Sequence, residues 1–319
     1  MAIPVPSFTL NTGYAMPAIG IGCWMGHPGE GDHVVQMIKN ALQLGYRHID
    51  TAAMYGDEES VGRAIKESGI PRSEIFITTK LASIDHGKAA SALDESLRKL
   101  GTNYVDLYLI HWPQAHSAEG KTLQPDEYPT YIDTWKDMET LFESGKVRSI
   151  GVSNFSIKTL THLLSETRVV PAANQVELHP YLPEHKLLAF CRERGILLTA
   201  YAPIGRGTLS ADETILSIAE RHGVTATQVM LSWGVQRGTS VIPKTENPRR
   251  LKENFSIIKL TPEEMHTLNV LHHKPGCHHS ACKFHSAAVG SFAFGWTYEQ
   301  LGWDMSPGGI VIHIEEVAD

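Results

Sequence analysis

Cysteine is scarce in this chain. Its 319 residues hold four, Cys23, Cys191, Cys277 and Cys282. They are too few and too scattered for a disulfide framework, so a reducing cytosol is the expected compartment. No apolar run approaches the ~20 residues that a membrane helix needs. The amino-terminal stretch MAIPVPSFTLNTGYAMP lacks a basic region followed by an apolar core, so no secretory signal is expected. Basic charge is in deficit, with 28 Lys and Arg against 35 Asp and Glu. The resulting net charge of -7 argues against a general binder of nucleic acid or anionic membranes. It leaves room for a local basic site for a small phosphorylated ligand. No linker rich in Pro, Gly or Ser and no internal repeat divides the chain. A single domain over residues 1–319 is therefore expected, a size that one barrel commonly reaches.

What is present is an alternation. Short apolar runs recur at Ile19–Cys23, Tyr46–Thr51, Ile75–Leu81, Val105–His111, Ser149–Ser153, Ala173–Leu178, Leu197–Ala202 and Ser240–Pro243. Near-continuous apolarity in short strands reads as a parallel sheet covered on both faces. Between the runs lie helical patterns. His33–Leu44 repeats Val34, Met37, Ile38, Ala41 and Leu42, and Lys88–Leu100 repeats Ala92, Leu93, Ser96, Leu97 and Leu100. Gly45, Gly101, Gly145, Gly195, Gly223 and Gly238 each follow a helical segment and precede the next strand, as helix-ending glycines do. About eight such units predict an α/β fold, a closed (β/α)8 TIM barrel, with an open doubly wound sheet as second choice. Phe8–Leu10 followed by Asn-Thr-Gly predicts a small hairpin ahead of the first barrel strand. From about His272 the alternation stops, and a long irregular tail begins.

Four residues stand out by position. Asp50 ends the second strand, Tyr55 follows it, Lys80 closes the third strand and His111 closes the fourth. In a (β/α) barrel all four fall on the C-terminal face, where active sites sit. Each alone is ordinary as a cap or a surface group. A lysine closing an apolar strand is less so, because an unpaired buried ammonium is costly. Together they suit carbonyl reduction, which needs a proton at oxygen while a hydride reaches carbon. Lys80 would lower the pKa of Tyr55, Asp50 would hold Lys80 charged, and His111 would orient the carbonyl.

The strings GYRHIDTAAMYGDEESVGRAI, LYLIHWP, GKVRSIGVSNF, NQVELHPYL, YAPIGRG and VIPKTENPRRLKENFSI carry a resemblance that spans roughly Phe8 to Leu271. On them the chain resembles the aldo-keto reductase superfamily. The family's catalytic Asp, Tyr, Lys and His fall on Asp50, Tyr55, Lys80 and His111. The resemblance implies an NADPH/NADP+ site without a Rossmann domain. Ser153, Asn154 and Gln175 would hold the carboxamide, and Tyr201 would lie under the nicotinamide ring. Lys244, Thr245, Asn247 and Arg250 would surround the 2′-phosphate, with Glu253 and Asn254 at the adenine. The cations of PKTENPRRLKEN support NADP over NAD, whereas Glu246 would oppose a phosphate if it pointed inward. Gly20, Gly22 and Gly26 imitate a dinucleotide glycine loop, but no helix pattern starts directly after them.

The resemblance places Trp24 and Trp112 beside the substrate. Ala82 stands where many members carry a Trp, which implies a more open wall. The loop after Tyr201 is short, which implies a looser clasp on the cofactor. The tail ends in GWTYEQLGW and is similar to that of fungal glycerol dehydrogenase-like and aldehyde reductase-like members. It is expected to form a lid over about residues 272–319, with Trp296, Tyr298 and Trp303 facing the substrate. Its His272, His273, Cys277, His278, His279, Cys282 and His285 match no closed zinc motif, so a solvated loop without metal is expected. The implied partner is a small carbonyl or polyol, acted on by a monomer. Two other readings stay open. One is a regulatory subunit that binds NADPH with little catalysis. The other is a metal-dependent hydrolase, which would need ligands on several strand ends where only His111 and Asp50 are obvious.

Overall fold

The computed structural model describes residues 2–29, 31–285, 288 and 290–312. Eight parallel strands form its centre: β1 (Ile21–Gly22), β2 (His48–Asp50), β3 (Phe76–Leu81), β4 (Leu107–Ile110), β5 (Ile150–Ser153), β6 (Ala173–Glu177), β7 (Leu197–Tyr201) and β8 (Ser240–Val241). They pair in chain order. The first and last are joined by the parallel bridge Ile19–Val241 and by hydrogen bonds from Gly20 N to Val241 O and from Val241 N to Ala18 O. The sheet is thus a closed barrel, and the open-sheet alternative is set aside. Nearly every residue of these strands is buried, as expected for a sheet walled by helices outside and side chains within.

The helices follow the apolar stripes. The first runs Gly31–Gln43, starting two residues earlier than its stripe, and buries Val34, Met37, Ile38, Ala41 and Leu42. The one at Ala89–Leu100 ends on Gly101 in the left-handed region. Gly223 departs from its expected place. It ends the helix Glu213–His222, but a second helix, Ala226–Gln236, comes before β8. Two helices therefore fill the β7–β8 crossover. The hairpin pairs Ser7–Thr9 with Ala15–Pro17. Its Leu10 and Met16 cluster with Phe76, Leu107 and Ala173, the residues that open β3, β4 and β6, so the hairpin plugs the N-terminal end of the barrel. The opposite end is left for chemistry.

The tail is partly ordered. It holds a hairpin of Phe292–Ala293 with Trp296–Thr297, a single helical turn at Tyr298–Leu301, and a pair of Met305–Ser306 with Ile310–Val311. Residues 286, 287, 289 and 313–319 of the expected lid lie outside the described residues. Polar anchors tie the tail down: Gln114 Nε2 donates to Ala293 O (2.8 Å), Trp296 Nε1 to Leu123 O (2.7 Å) and Lys158 Nζ to Glu299 O (2.7 Å). The histidine-rich part is a solvated loop only in part, with His273 exposed and Cys277, His278 and His279 half-buried. His272 and His285 are buried, and the His272 ring lies 5.4 Å from that of His185 and 4.7 Å from that of His278. Aromatic packing takes these rings out of water. Among the described residues no group of three or more His, Cys, Asp or Glu could hold a metal ion. Cys23, Cys191 and Cys282 are buried, and all four thiols are free. Among the described residues no helix is long and apolar enough to cross a membrane.

Candidate active site

The strand ends converge as their positions imply. Asp50 is the last residue of β2, Lys80 lies near the end of β3, His111 follows β4, and Tyr55 ends a short turn at Ala53–Tyr55. The Lys80 ammonium is fully buried and uses its donors on Asp50 Oδ1 (2.6 Å), the Thr51 carbonyl (2.8 Å) and the Tyr55 hydroxyl oxygen (3.4 Å). Burial alone would lower its pKa, but Asp50 and Tyr55 hold it above the ordinary lysine value. An ammonium can only donate, so the Tyr55 oxygen accepts and its own proton must point elsewhere.

The expected direction of the tyrosine shift needs correction. Desolvation outweighs the pull of Lys80 and pushes Tyr55 up to about 12. The phenol is therefore a bound proton store at neutral pH, and not a pre-formed phenolate. His111 packs edge-on against Tyr55 with ring centroids 5.6 Å apart. Burial, helped by the Lys80 charge, holds its pKa well below the usual histidine value. The imidazole is neutral beside the phenol, and its Nδ1 has no hydrogen-bond partner among the described residues.

A second set surrounds the centre. Asn154 has a left-handed backbone (φ 65°). Its Nδ2 donates to the His111 carbonyl (3.0 Å) and to Ser153 Oγ (3.1 Å), while its Oδ1 accepts from the Tyr201 hydroxyl (2.8 Å). Three local contacts hold a strained residue in place. Gln175 Nε2 donates to Asp50 Oδ2 (2.6 Å), which turns its amide oxygen to the other side of the group. Ser153, Asn154, Gln175 and Tyr201 thus form one connected patch beside the Asp50 cluster.

The basic segment lies after β8. Asn247 caps the short helix Pro248–Asn254. Arg250 Nε donates to the neutral Thr245 hydroxyl (3.1 Å), whereas Arg249 pairs with Glu253 (2.7 Å). Glu246 does face a cation, since it pairs with Lys244 (2.8 Å) and with His33 (3.2 Å). Arg250 is thus held by a neutral partner, whereas Lys244 and Arg249 pair with carboxylates. Asn254 is buried and Glu253 half-buried.

The aromatic residues divide. Trp24 lies 5.1 Å from the Tyr55 ring. Trp112 is enclosed by Phe294 at 4.5 Å, Phe284 at 5.3 Å and Trp303 at 6.3 Å. Trp296 is instead buried against the Leu123 carbonyl and the ring of Tyr131, so it anchors the tail. Tyr298 is buried with its hydroxyl 2.9 Å from His285 Nδ1, one layer behind Trp303. Sequence reasoning missed Phe284 and Phe294. Phe294 and Gly295 form a two-residue hairpin turn with both φ positive (49° and 86°), a signal more often carried by Asn-Gly. It also missed Glu177, Ser280 and Asp57. Asp57 is buried against Thr51 Oγ1 (2.5 Å), and desolvation raises its carboxyl to about 6. A cavity of about 210 Å³ lies beneath the tail, between Asn154, Tyr201 and Glu177 on the barrel and His278, His285 and Trp303 on the tail.

The profile of the aldo/keto reductase family matches residues 18–272. The chain is 43% identical over 282 residues to the aldehyde reductase YPR1 of Saccharomyces cerevisiae, covering 82% of this chain and 89% of the relative. It is 42% identical over 287 residues to glycerol 2-dehydrogenase (NADP(+)) of the same yeast, covering 84% and 91%. The crystal structure of a Bombyx mori aldo-keto reductase in complex with NADP superposes with a TM-score of 0.78 at 37% identity, covering 84% of this chain and 93% of that one.

Proposed function

Since the chain belongs to the aldo/keto reductase family, we propose that it is an alcohol:NADP+ oxidoreductase that reduces an aldehyde or ketone, reversibly, with Tyr55 as the proton donor. One observation carries the reading. Lys80 is saturated by Asp50, Thr51 and Tyr55, so the phenolic proton is directed away from it. A neutral His111 stands beside that proton, able to hydrogen-bond a carbonyl oxygen and align it.

The residues fit an NADP(H) cofactor. Gln175 has an outward amide oxygen, and a carboxamide N–H₂ is its complement. Ser153 and Asn154 flank it, and the Tyr201 ring offers a flat face to a nicotinamide. Arg250, with Lys244, Thr245 and Asn247, suits a dianionic 2′-phosphate, with Glu253 and Asn254 left for the adenine. The bound nicotinamide would supply hydride to the carbonyl carbon. The chain's own residues then hold the carbonyl, deliver the proton from the Tyr55 oxygen, and stabilise the phenolate left behind through Lys80. Asp50 keeps Lys80 charged and aimed throughout.

Trp24, Trp112 and Trp303, joined by Phe284 and Phe294, are proposed to line the substrate mouth. Aromatic walls suit an apolar carbonyl body or the carbon face of a polyol. Free thiols are consistent with a reducing cytosol, and the enzyme is proposed to act there as a monomer. The test tracks NADPH absorbance across a panel of aldehydes, ketones and keto sugars, with Tyr55→Phe as control. Turnover that disappears in the variant supports the assignment. Tight NADPH binding without turnover on any carbonyl favours a regulatory subunit instead.

A further inference from the structure

Strand β6 carries two functions on one face. Side chains alternate along a strand, so Gln175 and Glu177 point the same way. Gln175 reaches the Asp50 cluster. Glu177 reaches the tail. Its carboxylate is buried and accepts from Ser280 Oγ, from the Ala281 backbone N–H (2.7 Å) and from His179 Nε2 (3.0 Å). Burial would raise this carboxyl, but the hydrogen bonds of His179, Ser280 and Ala281 bring it down to about 2. A buried carboxylate is stable only with its acceptor sites filled. Two of the three donors come from the tail.

The docked segment continues inward. Ser280 Oγ also accepts from Cys282 N (3.0 Å), and Ser280 N donates to Gly309 O (2.8 Å). Residues 280–282 are therefore tied to Glu177 on one side and to the last described hairpin on the other. Cys282 is buried beside Tyr201, Glu177 and Arg206. Arg206 belongs to the short loop that comes after β7. The tail thus meets the β7 loop near Tyr201, and Glu177 and Tyr201 both line the cavity beneath the tail.

We propose that Glu177 is the latch that docks residues 280–282 of the tail onto the barrel, making the tail a strap that retains the nicotinamide cofactor as well as a cover for the substrate. The strap supplies what the short loop after β7 lacks. The inference rests on the assignment of Tyr201 and Gln175 to the cofactor. Glu177 is a positioning residue, since it acts through the tail and not on the reacting atoms.

The test uses the full chain and three variants: Glu177→Gln, Ser280→Ala and the double variant. Stopped-flow fluorescence reads NADPH release, steady-state and single-turnover kinetics read the carbonyl step, and thermal unfolding controls for folding. Glu177→Gln is expected to speed NADPH release by about tenfold and Ser280→Ala by about threefold, as losses of charge-assisted hydrogen bonds do. The double variant should match Glu177→Gln alone, because both changes break one contact. KM for the carbonyl should rise, while single-turnover hydride transfer at saturation stays within about twofold. Release within about twofold of wild type in both single variants, or additive effects in the double, overturns the latch. If Glu177→Gln does not fold, Ser280→Ala decides alone, and unchanged release there overturns the proposal. A wild-type protein that binds no NADPH overturns the cofactor reading itself, a result distinct from binding that the variants leave untouched.

Discussion

Gln175 and Asp50, 125 residues apart in sequence, are joined by a 2.6 Å hydrogen bond across the mouth of the barrel. Asp50 gives its other oxygen to Lys80, also at 2.6 Å. One carboxylate therefore braces both the cluster proposed to donate the proton and the patch proposed to hold the carboxamide. Gln175→Leu should leave Asp50 Oδ2 buried without that donor and cost roughly 1–3 kcal/mol of stability. NADPH binding should weaken in parallel. Thermal unfolding and NADPH titration check both, and an unchanged melting temperature would show that Asp50 does not depend on Gln175.

Tyr55→Phe and Lys80→Met should separate chemistry from stability. The first removes a proton but no charge. Turnover should fall by roughly 10²–10⁴-fold with NADPH still bound and the melting temperature nearly unchanged. The second strands a buried carboxylate, which typically costs about 3–5 kcal/mol. Lys80→Met should therefore lose activity and unfold earlier. A Lys80→Met protein as stable as wild type would mean that Asp50 is not held as an ion pair.

Arg250 should read the phosphate that distinguishes the two nicotinamide cofactors. Loss of one charge-assisted contact is worth roughly 1.5–3 kcal/mol, so Arg250→Ala should weaken NADPH by about 10- to 100-fold. NADH binding should change little. Equal losses for both cofactors would remove Arg250 from the phosphate site.

Buried and half-buried histidines set an acid limit. Burial lowers His48, His185, His278 and His285 each to about 4, and His86 to about 3. Their folded values lie below the ordinary value of about 6.5, so the folded state refuses protons that the unfolded chain accepts. Stability should be full above about 6.5 and fall as the pH drops, levelling off only below about 3, where His86 titrates in the folded state. Asp57 works the other way. With its folded carboxyl raised to about 6, it adds stability as the pH falls from 6 toward its ordinary value. One such group does not offset five histidines. Melting temperature against pH should decline steadily through this window, and a flat profile would refute the burial account.

Phe294 holds a left-handed backbone that an aromatic residue adopts reluctantly, and its ring covers Trp112. Asn suits that backbone but offers no ring. Phe294→Asn should leave stability within about 0.5 kcal/mol or raise it, while KM for aromatic aldehydes increases several-fold. Unchanged aromatic selectivity would place Phe294 outside the substrate mouth.

Much of the barrel and its centre was legible in the sequence because strand order and strand ends are local facts. Asp50, Lys80 and His111 each end or follow an apolar run, and a parallel barrel has no choice but to bring such ends together. The β7–β8 crossover was misread because Gly223 marks a helix end but carries no information about the next element, which is a second helix and not a strand. The tail was legible only in outline. Trp296 and Trp303 sit in matching Gly-Trp pairs, yet one anchors against Leu123 and the other faces Trp112. The contacts that tell them apart, Trp296 with Leu123 and Trp303 with Trp112, join residues distant in sequence, and no local pattern reports them. The fall in Tyr55 acidity was missed for a similar reason. Charge partners can be read from spacing, but desolvation is a property of the finished fold.

The free cysteines have a meaning for a protein that would handle electrophiles. Thiolates, not thiols, are alkylated by reactive aldehydes and related carbonyls. Burial raises Cys23 well above the usual thiol value, Cys191 to about 12, and Cys282 as well. Cys282, although set in the tail beside the mouth, is thus kept protonated and out of contact with solvent. The half-buried Cys277 is the thiol within easier reach. Burial therefore shields Cys282 at the mouth from alkylation and leaves Cys277 as the more accessible sulfur of the tail.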